Sequence, residues 1–454
     1  MTGNKFDLMI IGGGPAGYRA AERAAEEGFH TVLFESHAIG GVCLNEGCIP
    51  SKTLLYSAKL YDYAKGGAEK YGVSCENAKL DHQAVLRRKK KVVKKLTMGI
   101  AAQLKAGHVT VVEAEAEIVG RVDGGIAITA AGQEYLGTRL LLATGSMPTL
   151  PPIEGLQEAL ASGFALTNRE VLDLPEIPET MVVVGGGVIG LEMASYYASA
   201  GSAVTVVEML TSIGGPIDCE VASMLQKAYE KKGVTFLLGA TAKKFENGQI
   251  TIEQDGQTEV LTCDKVLVSI GRRPVLPRGA DKLKLTVERG AVVTDETMLT
   301  SELNVYAAGD INGKSMLAHT AYREAEVAVN HMAGKKDAMD YGAIPYVIYT
   351  NPEVAGCGET LESAKSKGLD VIEKKVPLAF AGRFVAENEG GEGLLKVIME
   401  PSGRLLGVSM IGNPASEIIF GAAMMIGKEM RTSDLQRVVF PHPTVSEIFR
   451  EVIF

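Results

Sequence analysis

Two cysteines five residues apart are the most chemically distinctive feature of the sequence. Cys43 and Cys48 lie in the segment GGVCLNEGCIPSK, residues 40–52. Two nearby thiols can exchange two electrons by forming and opening a disulfide. Five residues of a regular helix rise about 7.5 Å, beyond the roughly 7 Å limit between bridged Cα atoms. A Cys43–Cys48 disulfide therefore requires a distorted turn, which Gly47 permits.

Two other interpretations of these cysteines stay open from the residues alone: half of a metal site, and two unrelated thiols. The segment 40–52 contains no further Cys or His that would complete a tetrahedral set of ligands. This disfavours a metal site, and we predict none. Six cysteines in 454 residues are too few for a structural disulfide framework, so a reducing compartment is favoured. Any disulfide in this chain would then be catalytic.

A histidine near the end of the chain is a natural proton acceptor for such thiols. His442 lies in the segment FPHPTVSE, residues 440–447. Imidazole accepts a thiol proton near neutral pH, and the Glu447 carboxylate can fix its tautomer through the other ring nitrogen. Taken alone, the segment favours a structural loop histidine. Together with the other motifs it favours a catalytic base.

Two segments share one pattern, an apolar strand followed by a glycine cluster and a helix, which is typical of a dinucleotide-binding βαβ unit. In the first, the strand 6–11 precedes a helix that ends near Glu27. In the second, the strand 181–184 precedes a helix from Leu191 to about Ala200. The free N–H groups and positive end of such a helix bind a pyrophosphate. The glycines predicted to approach it are Gly12, Gly14 and Gly17 in the first segment and Gly185, Gly187 and Gly190 in the second.

Each pattern continues into a second strand that ends in an acid, Glu35 after residues 31–34 and Glu208 after residues 203–207. A carboxylate at this position accepts hydrogen bonds from adenine-ribose hydroxyls. Two such patterns, each with its acid, predict two nucleotide sites. Glu208 would repel a 2′-phosphate and no arginine flanks it, so the sequence predicts NAD rather than NADP.

The remaining elements are predicted more coarsely. The segments 266–271 and 305–310 are predicted strands. A proline-punctuated stretch places a domain boundary near residue 148. From about Tyr341 the sequence is mixed strand and helix, with an apolar helix at 418–428, and we interpret this part as an interface domain.

One basic run, RRKKK at 87–91 followed by Lys94 and Lys95, is accompanied by apolar residues at helical spacing. This predicts a solvated helix face. A docking patch for an acidic partner is the alternative.

The composition indicates the general class of protein and disfavours some kinds of partner. The 454 residues are 46% hydrophobic and 22% charged, which predicts about three globular domains. A formal charge of −9 disfavours nucleic acid and anionic membranes as main partners. No apolar stretch approaches the roughly 18 to 20 residues of a membrane span, and the start of the chain has no signal-peptide pattern. We predict a cytoplasmic protein.

The motifs occur in order: the redox stretch 43–52, both glycine fingerprints, Ala143-Thr144-Gly145, Gly309-Asp310 and His442-Pro443-Thr444. This order resembles the pyridine nucleotide-disulfide oxidoreductase family over essentially the whole chain, and most closely its members that oxidise dihydrolipoamide. The resemblance implies an α/β fold with two Rossmann-like dinucleotide-binding domains, for FAD and NAD, and a C-terminal α+β dimerisation domain in a homodimer. The implied regions are an FAD-binding domain at 1–147, an NAD-binding domain at 148–271, a central segment at 272–340 that returns to the FAD domain, and a dimerisation domain at 341–454.

The resemblance also implies roles for individual residues. Cys43 would be the thiol that exchanges with substrate, and Cys48 the thiol that faces the flavin. His442, contributed by the partner subunit and oriented by Glu447, would be the base.

Further residues would hold or tune the cofactors. Lys52 and Glu192 would pair near the reactive flavin nitrogen. The implied FAD contacts are Gly12, Gly14, Pro15, Ala16, Gly17, Glu35, Gly41, Val42, Lys52, Ala116, Thr144, Gly145, Asp310 and Ala318. The implied NAD contacts are Gly185, Gly187, Val188, Ile189, Gly190, Glu208 and Gly271. The sequence departs from the family at Val42, where threonine is common, and at Thr320, where lysine is usual.

The implied reaction is oxidation of protein-bound dihydrolipoamide through a Cys43–Cys48 disulfide and FAD, with reduction of NAD. The implied partner is a lipoyl-bearing protein or acyltransferase of a 2-oxo acid, acetoin or glycine-cleavage complex. One alternative is a related NAD(P)H-dependent flavin disulfide reductase of a small thiol, which Glu208 disfavours because those enzymes usually take NADPH. Another is a mainly structural flavoprotein of a multienzyme complex, which the intact set of Cys43, Cys48 and His442 disfavours.

Overall fold

The computed structural model describes residues 5–246 and 248–454. The start of the chain, on which the prediction of no signal peptide depends, lies partly outside these residues. The strands are β1 (Lys5–Ile11), β2 (Thr31–Phe34), β3 (Thr110–Val112), β4 (Ala116–Val122), β5 (Gly125–Ala130), β6 (Gln133–Leu142), β7 (Ser146–Pro148), β8 (Ala165–Leu166), β9 (Thr180–Val184), β10 (Ala203–Glu208), β11 (Thr235–Leu238), β12 (Ala240–Glu246), β13 (Gln249–Gln254), β14 (Gln257–Thr262), β15 (Lys265–Val268), β16 (Arg272–Pro274), β17 (Val287–Glu288), β18 (Ala291–Val292), β19 (Val305–Ala307), β20 (Pro345–Ile348), β21 (Val354–Gly358), β22 (Ile372–Pro377), β23 (Leu394–Met399) and β24 (Leu405–Ile411). The α-helices are α1 (Pro15–Glu26), α2 (Gly41–Glu46), α3 (Cys48–Asp62), α4 (His82–Ala106), α5 (Leu156–Ala161), α6 (Asn168–Val171), α7 (Val188–Ala200), α8 (Cys219–Glu230), α9 (Ala318–Met332), α10 (Leu361–Ser366), α11 (Gly382–Glu387), α12 (Ala415–Gly427), α13 (Thr432–Leu435) and α14 (Ile448–Ile453). Among these helices, none combines the length and the apolar character needed to cross a membrane.

The chain divides into two compact units. The first comprises Met1–Thr53, Leu86–Thr149 and Gly271–Asp340, and the second comprises Leu54–Val85, Leu150–Ile270 and Tyr341–Phe454. The four regions predicted from the sequence, with their boundaries, stay a prediction.

The first unit is built on a sheet with the strand order β3-β2-β1-β6-β5-β4, in which β19 also pairs with β6. β1 runs parallel to β2 and to β6, and β4, β5 and β6 form an antiparallel meander. The apolar run of β1 is buried because helices cover a parallel sheet on both faces. β19 brings a strand from beyond residue 300 into this sheet, next to the C-terminal end of β6.

The second unit contains a parallel sheet in the order β11-β10-β9-β15-β8 and a separate antiparallel sheet of β12, β13 and β14. Its C-terminal part is an antiparallel sheet in the order β20-β21-β24-β23-β22. Helices α12 and α14 pack on that sheet and close an apolar core around Phe384, Met410 and Phe449. The predicted mixed strand and helix texture after Tyr341 is therefore confirmed.

Several predicted boundaries differ from the structure. Helix α7 begins at Val188, three residues before the predicted Leu191, because Gly187 already acts as its N-cap in an extended conformation. The predicted strands 266–271 and 305–310 are shorter, since they end at Val268 and Ala307 ahead of glycines with positive φ. The predicted helix 418–428 corresponds to α12, Ala415–Gly427.

Candidate active site

The first glycine turn connects β1 to α1. Gly12 has a φ of 105°, and a Cβ there would lie 2.2 Å from the Ala143 carbonyl oxygen. A Cβ on Gly17 would lie 1.7 Å from the carbonyl oxygen of Gly12, so the helix can approach the strand only without a side chain. A Cβ on Gly14, by contrast, would meet nothing closer than the Cα of Gly41 at 3.8 Å. The turn thus presents a cradle with N–H groups of a helix N-terminus, which fits a pyrophosphate.

Glu35 is fixed at the end of β2 beside this cradle. Its carboxylate accepts hydrogen bonds from the backbone N–H groups of Gly13 and His37, both at 2.7 Å. Each carboxylate oxygen has a further lone pair, so Glu35 can still accept hydrogen bonds from a ribose. The residues present therefore fit the adenosine end of a dinucleotide.

The segment that carries the cysteines is tied to the same turn. The Gly40 N–H donates to the Gly13 carbonyl at 2.8 Å, and a Cβ on Gly41 would lie 2.6 Å from the Cα of Gly14. The Asn45 amide donates to the carbonyls of Ile39 and Gly41, at 3.2 and 2.9 Å. Sequence reasoning missed Asn45. Its position between the two cysteines of the redox stretch was a signal for a local structural role.

Cys43 and Cys48 lie on opposite sides of a helix break. α2 ends at Glu46, Gly47 adopts non-helical dihedrals, and α3 begins at Cys48. The distorted turn predicted at Gly47 is therefore confirmed. Both cysteines are thiols in this structure.

The two thiols are in contact. A hydrogen bond with Cys48, together with burial, raises the pKa of Cys43, and the positive charge of Lys52 acts in the opposite direction. Lys52 is thus close enough to stabilise a thiolate at this dithiol.

A pair of phenols near the dithiol was missed by sequence reasoning. The hydroxyls of Tyr18 and Tyr322 are hydrogen-bonded to each other. Burial raises the pKa of both, and Cys43 adds a smaller electrostatic contribution to each. Tyr18 and Tyr322 are 304 residues apart, a separation that leaves no local sequence pattern.

Asp310, another predicted FAD contact, lies in a polar cluster of the first unit with Ser146 and Arg272. The half-buried Asp310 accepts a hydrogen bond from Ser146, and its partial removal from water raises the pKa of its carboxyl group. The Arg272 guanidinium donates to the Ser146 hydroxyl at 2.8 Å and so orders this cluster. Of the remaining predicted contacts, Pro15 and Ala16 start α1, Val42 lies in α2, Ala116 starts β4, Thr144 donates to the Val275 carbonyl, Gly145 has positive φ and Ala318 starts α9.

The second glycine turn, between β9 and α7, repeats the first. A Cβ on Gly185 would lie 2.5 Å from the Ser269 carbonyl oxygen, and one on Gly190 would lie 2.0 Å from the Gly185 carbonyl oxygen. A Cβ on Gly187 would meet no atom within 4 Å, which leaves room for a ligand. The Glu208 carboxylate accepts from the N–H groups of Gly186 and Leu210, at 2.6 and 2.8 Å. The predicted NAD contacts Val188 and Ile189 form the first turn of α7, while Gly271 lies just before β16 in the first unit.

Glu192 is buried in α7 and accepts a hydrogen bond from the Tyr349 N–H at 3.1 Å. Lys52 belongs to the first unit and Glu192 to the second. Their predicted pairing stays a prediction.

His442 and Glu447 are in contact within the second unit. Nδ1 of His442 lies 2.9 and 3.1 Å from the two carboxylate oxygens of Glu447. A hydrogen bond from the Thr444 N–H, together with the contact to His442, lowers the pKa of Glu447. An ionised Glu447 places the ring proton on Nδ1, so Nε2 is left as the basic nitrogen. The side chain of His442 is 78% exposed, which leaves Nε2 open to a reacting group.

Comparison with known proteins gives matches over nearly the whole chain. Residues 6–325 match the family model described as pyridine nucleotide-disulphide oxidoreductase, and residues 344–453 match the dimerisation domain of the same family. A dihydrolipoyl dehydrogenase of Mycoplasma pneumoniae is 37% identical over 98% of this chain and 97% of its own length. A dihydrolipoyl dehydrogenase of Geobacillus stearothermophilus is 36% identical over 98% of this chain and 95% of its own. Among solved structures, the HOCl-induced flavoprotein disulfide reductase RclA of Escherichia coli is similar with a TM-score of 0.86 and 26% identity, over 98% of this chain and 99% of that one.

Proposed function

Because the chain belongs to the pyridine nucleotide-disulphide oxidoreductase family, we propose that it oxidises protein-bound dihydrolipoamide to lipoamide and reduces NAD. Family membership confirms the predicted fold class, the enzyme class of an FAD-dependent disulfide oxidoreductase, and the cofactors FAD and NAD. The C-terminal dimerisation domain supports a homodimer.

The observation that carries the proposal is the pair of contacting thiols across the helix break at Gly47, in a segment that the Gly40–Gly13 hydrogen bond ties to a dinucleotide-type glycine turn. A dithiol held there can pass two electrons between a substrate dithiol and a bound nucleotide cofactor. The choice of dihydrolipoamide rests on the full-length similarity to dihydrolipoyl dehydrogenases, and the choice of NAD on the carboxylate of Glu208.

In the oxidised enzyme, Cys43 and Cys48 would form a disulfide. His442 of the partner subunit would take a proton from one thiol of dihydrolipoamide, and the resulting thiolate would attack the sulfur of Cys43. This forms a mixed disulfide and releases Cys48 as a thiolate. The second substrate thiol would then attack the substrate sulfur of the mixed disulfide, which closes the lipoamide ring, and its proton would pass to the departing sulfur of Cys43, released as a thiol. The substrate loses two electrons and the cysteine pair gains them.

The cofactors would bind at the two glycine turns. Bound FAD would supply the route by which the two electrons leave the dithiol for NAD. The first turn, Glu35 and Asp310 would hold FAD, and the second turn with Glu208 would hold NAD. Lys52 and Glu192 would act as a positioning pair that tunes the flavin environment.

We place the enzyme in the cytoplasm, with a lipoyl-bearing protein or acyltransferase of a 2-oxo acid, acetoin or glycine-cleavage complex as its partner. The small number of cysteines in the chain supports a reducing compartment.

Substrate assays test the proposal directly. We expect reduction of NAD with dihydrolipoamide and little reduction of glutathione disulfide with NADPH. Cys43→Ser and Cys48→Ser should each abolish dihydrolipoamide oxidation, whereas Cys75→Ser, which changes an exposed thiol outside the site, should not. Faster turnover of glutathione disulfide than of dihydrolipoamide would favour a small-thiol disulfide reductase instead.

Mixed dimers test the assignment of His442 to the partner subunit. If Cys43→Ser and His442→Ala homodimers are inactive and are refolded together, half of the dimers become mixed and each mixed dimer regains one intact site. Activity should then return to about a quarter of the unmodified level. No recovery in a mixture shown to contain mixed dimers would mean that each site is built within one chain.

A further inference from the structure

Helix α4 carries a basic face that the proposed chemistry does not use. We define the basic face as Arg87, Lys90, Lys91, Lys94 and Lys95, all of which are exposed. At about 100° per residue they fall within an arc of about 140° around the helix. The predicted helix is confirmed and these side chains are exposed, which agrees with both interpretations of the run, a solvated face and a docking patch. Lys89, which sequence reasoning included in the run, is only 3% exposed because it points to the opposite side of the helix.

Helix α4 is strongly basic. The 25 residues of α4, HQAVLRRKKKVVKKLTMGIAAQLKA, contain eight Lys or Arg and no Asp or Glu. Basic residues three and four positions apart are neighbours on a helix and repel each other. The whole chain nevertheless carries a net charge of −9. The exposed Lys91, Lys94 and Lys95 form a cluster of like charges on an acidic protein, and such a cluster favours a partner that supplies negative charge.

The basic face lies beside the helix that carries Cys48. Arg88, at its edge, donates from its guanidinium to the carbonyl of Thr53 in α3 at 3.2 Å. The Thr53 hydroxyl in turn donates to the carbonyl of Ile49 at 2.8 Å. Thr53 follows Cys48 by five residues, so this contact lies about 7.5 Å along the helix from the redox cysteine.

We propose that the basic face of α4 docks an acidic surface on the protein that carries the lipoyl group, and so guides that group to the cysteines. This inference rests on the proposed function, since it concerns how the same substrate arrives. A run from Arg87 to Lys95 is about 12 Å long, which suits a patch on a small folded domain. An extended polyanion such as nucleic acid would also meet the remaining surface of a chain with 55 Asp and Glu against 46 Lys and Arg.

The unmodified holoenzyme gives the first readout. Free dihydrolipoamide is uncharged, whereas an acidic carrier is attracted at long range through a field that salt screens. We expect kcat/KM for a reduced lipoylated carrier domain with an acidic surface to fall about tenfold between about 20 mM and 0.5 M NaCl. The value for free dihydrolipoamide should change by less than about twofold. Equal salt dependence of the two substrates would overturn the proposal.

Charge reversal locates the effect. The triple variant Lys91→Glu, Lys94→Glu, Lys95→Glu should lower kcat/KM for the carrier by about tenfold at low salt and leave kcat/KM for free dihydrolipoamide unchanged. The corresponding Lys→Gln triple should give a kcat/KM for the carrier between those of the Glu triple and the unmodified enzyme. Bound flavin and NADH oxidation by an artificial acceptor show whether the two triple variants are folded. The matched control is the exposed, scattered triple Lys284→Glu, Lys336→Glu, Lys365→Glu, which changes the net charge equally.

Three results would contradict the proposal, and each would point to a different cause. Equal losses in the α4 triple and the control triple would overturn the proposal in favour of a net-charge effect. If the α4 triple lost binding to anionic lipid vesicles while carrier kinetics stayed unchanged, the basic face would serve a membrane and the proposal would be wrong. If the unmodified enzyme failed to oxidise free dihydrolipoamide, the proposed function itself would fall, and this inference with it.

Discussion

The two glycine turns have nearly the same backbone geometry. Gly12 and Gly185 have φ angles of 105° and 106°. A Cβ on Gly17 or on Gly190 would lie 1.7 or 2.0 Å from the carbonyl oxygen of the glycine that opens its turn. In each turn an acid at the end of the next strand accepts two backbone N–H groups. The two nucleotide sites therefore have the same backbone geometry.

The segments that each turn holds in place are different. The Gly13 carbonyl accepts from Gly40, whose chain continues into the helices of Cys43 and Cys48. The Gly186 carbonyl accepts from Gly214 at 2.8 Å in the same way, but that chain continues into a loop and α8.

α8 is capped by Asp218, and Asp218 forms a buried ion pair with Lys396 of β23 at 2.6 Å. The segment after the first turn thus supplies redox groups, and the segment after the second supplies an anchor to the C-terminal sheet. The two turns therefore share the geometry that binds a nucleotide, and they differ in whether the segment held by the turn carries redox groups or a structural anchor.

The largest effect is expected from replacing Gly17 or Gly190, the helix glycine that packs against the carbonyl oxygen of the first glycine in its turn. Gly17→Ala should remove bound flavin and reduce all activities at least about a hundredfold, because displacing the backbone by about 1 Å disrupts the cradle. Gly190→Ala should keep the flavin. Dihydrolipoamide should still reduce this flavin and bleach its absorbance, whereas NADH should no longer reduce it. Flavin absorbance and the two half-reactions measure this.

The control is Gly99→Ala in α4, where a Cβ meets no atom within 4 Å. It should retain flavin and activity. Equal loss of flavin from the Gly17 and Gly190 variants would show that the turns do not divide the two nucleotides between them.

The features of the two turns that could be predicted from the sequence are local ones. A strand, three glycines and an acid lie within about thirty residues, and each has a backbone reason for its position. The start of α7 was misplaced because the prediction began the helix after the last glycine of the cluster, whereas Gly187 is the N-cap and Val188 and Ile189 already form the first helical turn.

Long-range contacts were not predicted. Asp218 and Lys396 are 178 residues apart, and nothing near either residue indicates the other. The Tyr18–Tyr322 contact was missed for the same reason. The basic run was predicted as a helix face, but its position beside the redox helix depends on the Arg88–Thr53 contact between segments 35 residues apart.

A smaller effect is expected from replacing Glu35 or Glu208, the carboxylates that accept hydrogen bonds from the backbone of the two turns. Glu208→Ala should lower the preference for NAD over NADP by roughly tenfold, since it removes about 1.4 kcal/mol of repulsion toward the 2′-phosphate. Glu35→Ala should weaken flavin retention without changing that preference. The ratio of kcat/KM for the two nucleotides measures the first effect, and release of FAD on dilution measures the second. An unchanged nucleotide preference in Glu208→Ala would remove Glu208 from the specificity determinants.

The smallest effect concerns two carboxylates, the buried Asp218 of the second unit and the half-buried Asp310 of the first. Asp218 of the second unit has Lys396 as a partner, whereas Asp310 of the first accepts a hydrogen bond from Ser146 and has a pKa raised by burial. A raised folded-state pKa means that the folded protein holds this proton more tightly than the unfolded chain. The contribution of Asp310 to stability is then fully present below the unfolded pKa of about 3.9 and is lost as pH rises through the folded pKa.

Asp310→Asn removes this titration, so the flavin-free variant should gain stability relative to the unmodified flavin-free protein as pH rises from about 4 to 8. The gain should reach about 1.4 kcal/mol for each unit by which burial raises the pKa. Ser146→Ala should widen the pH window in which the unmodified carboxyl loses stability, because the Ser146 hydrogen bond lowers the same pKa. Urea unfolding at a series of pH values measures both variants against the unmodified protein. A stability difference that stays constant with pH, or that shrinks as pH rises, would mean that the pKa of Asp310 is not raised in the folded protein, and the electrostatic contrast between Asp218 and Asp310 would not hold.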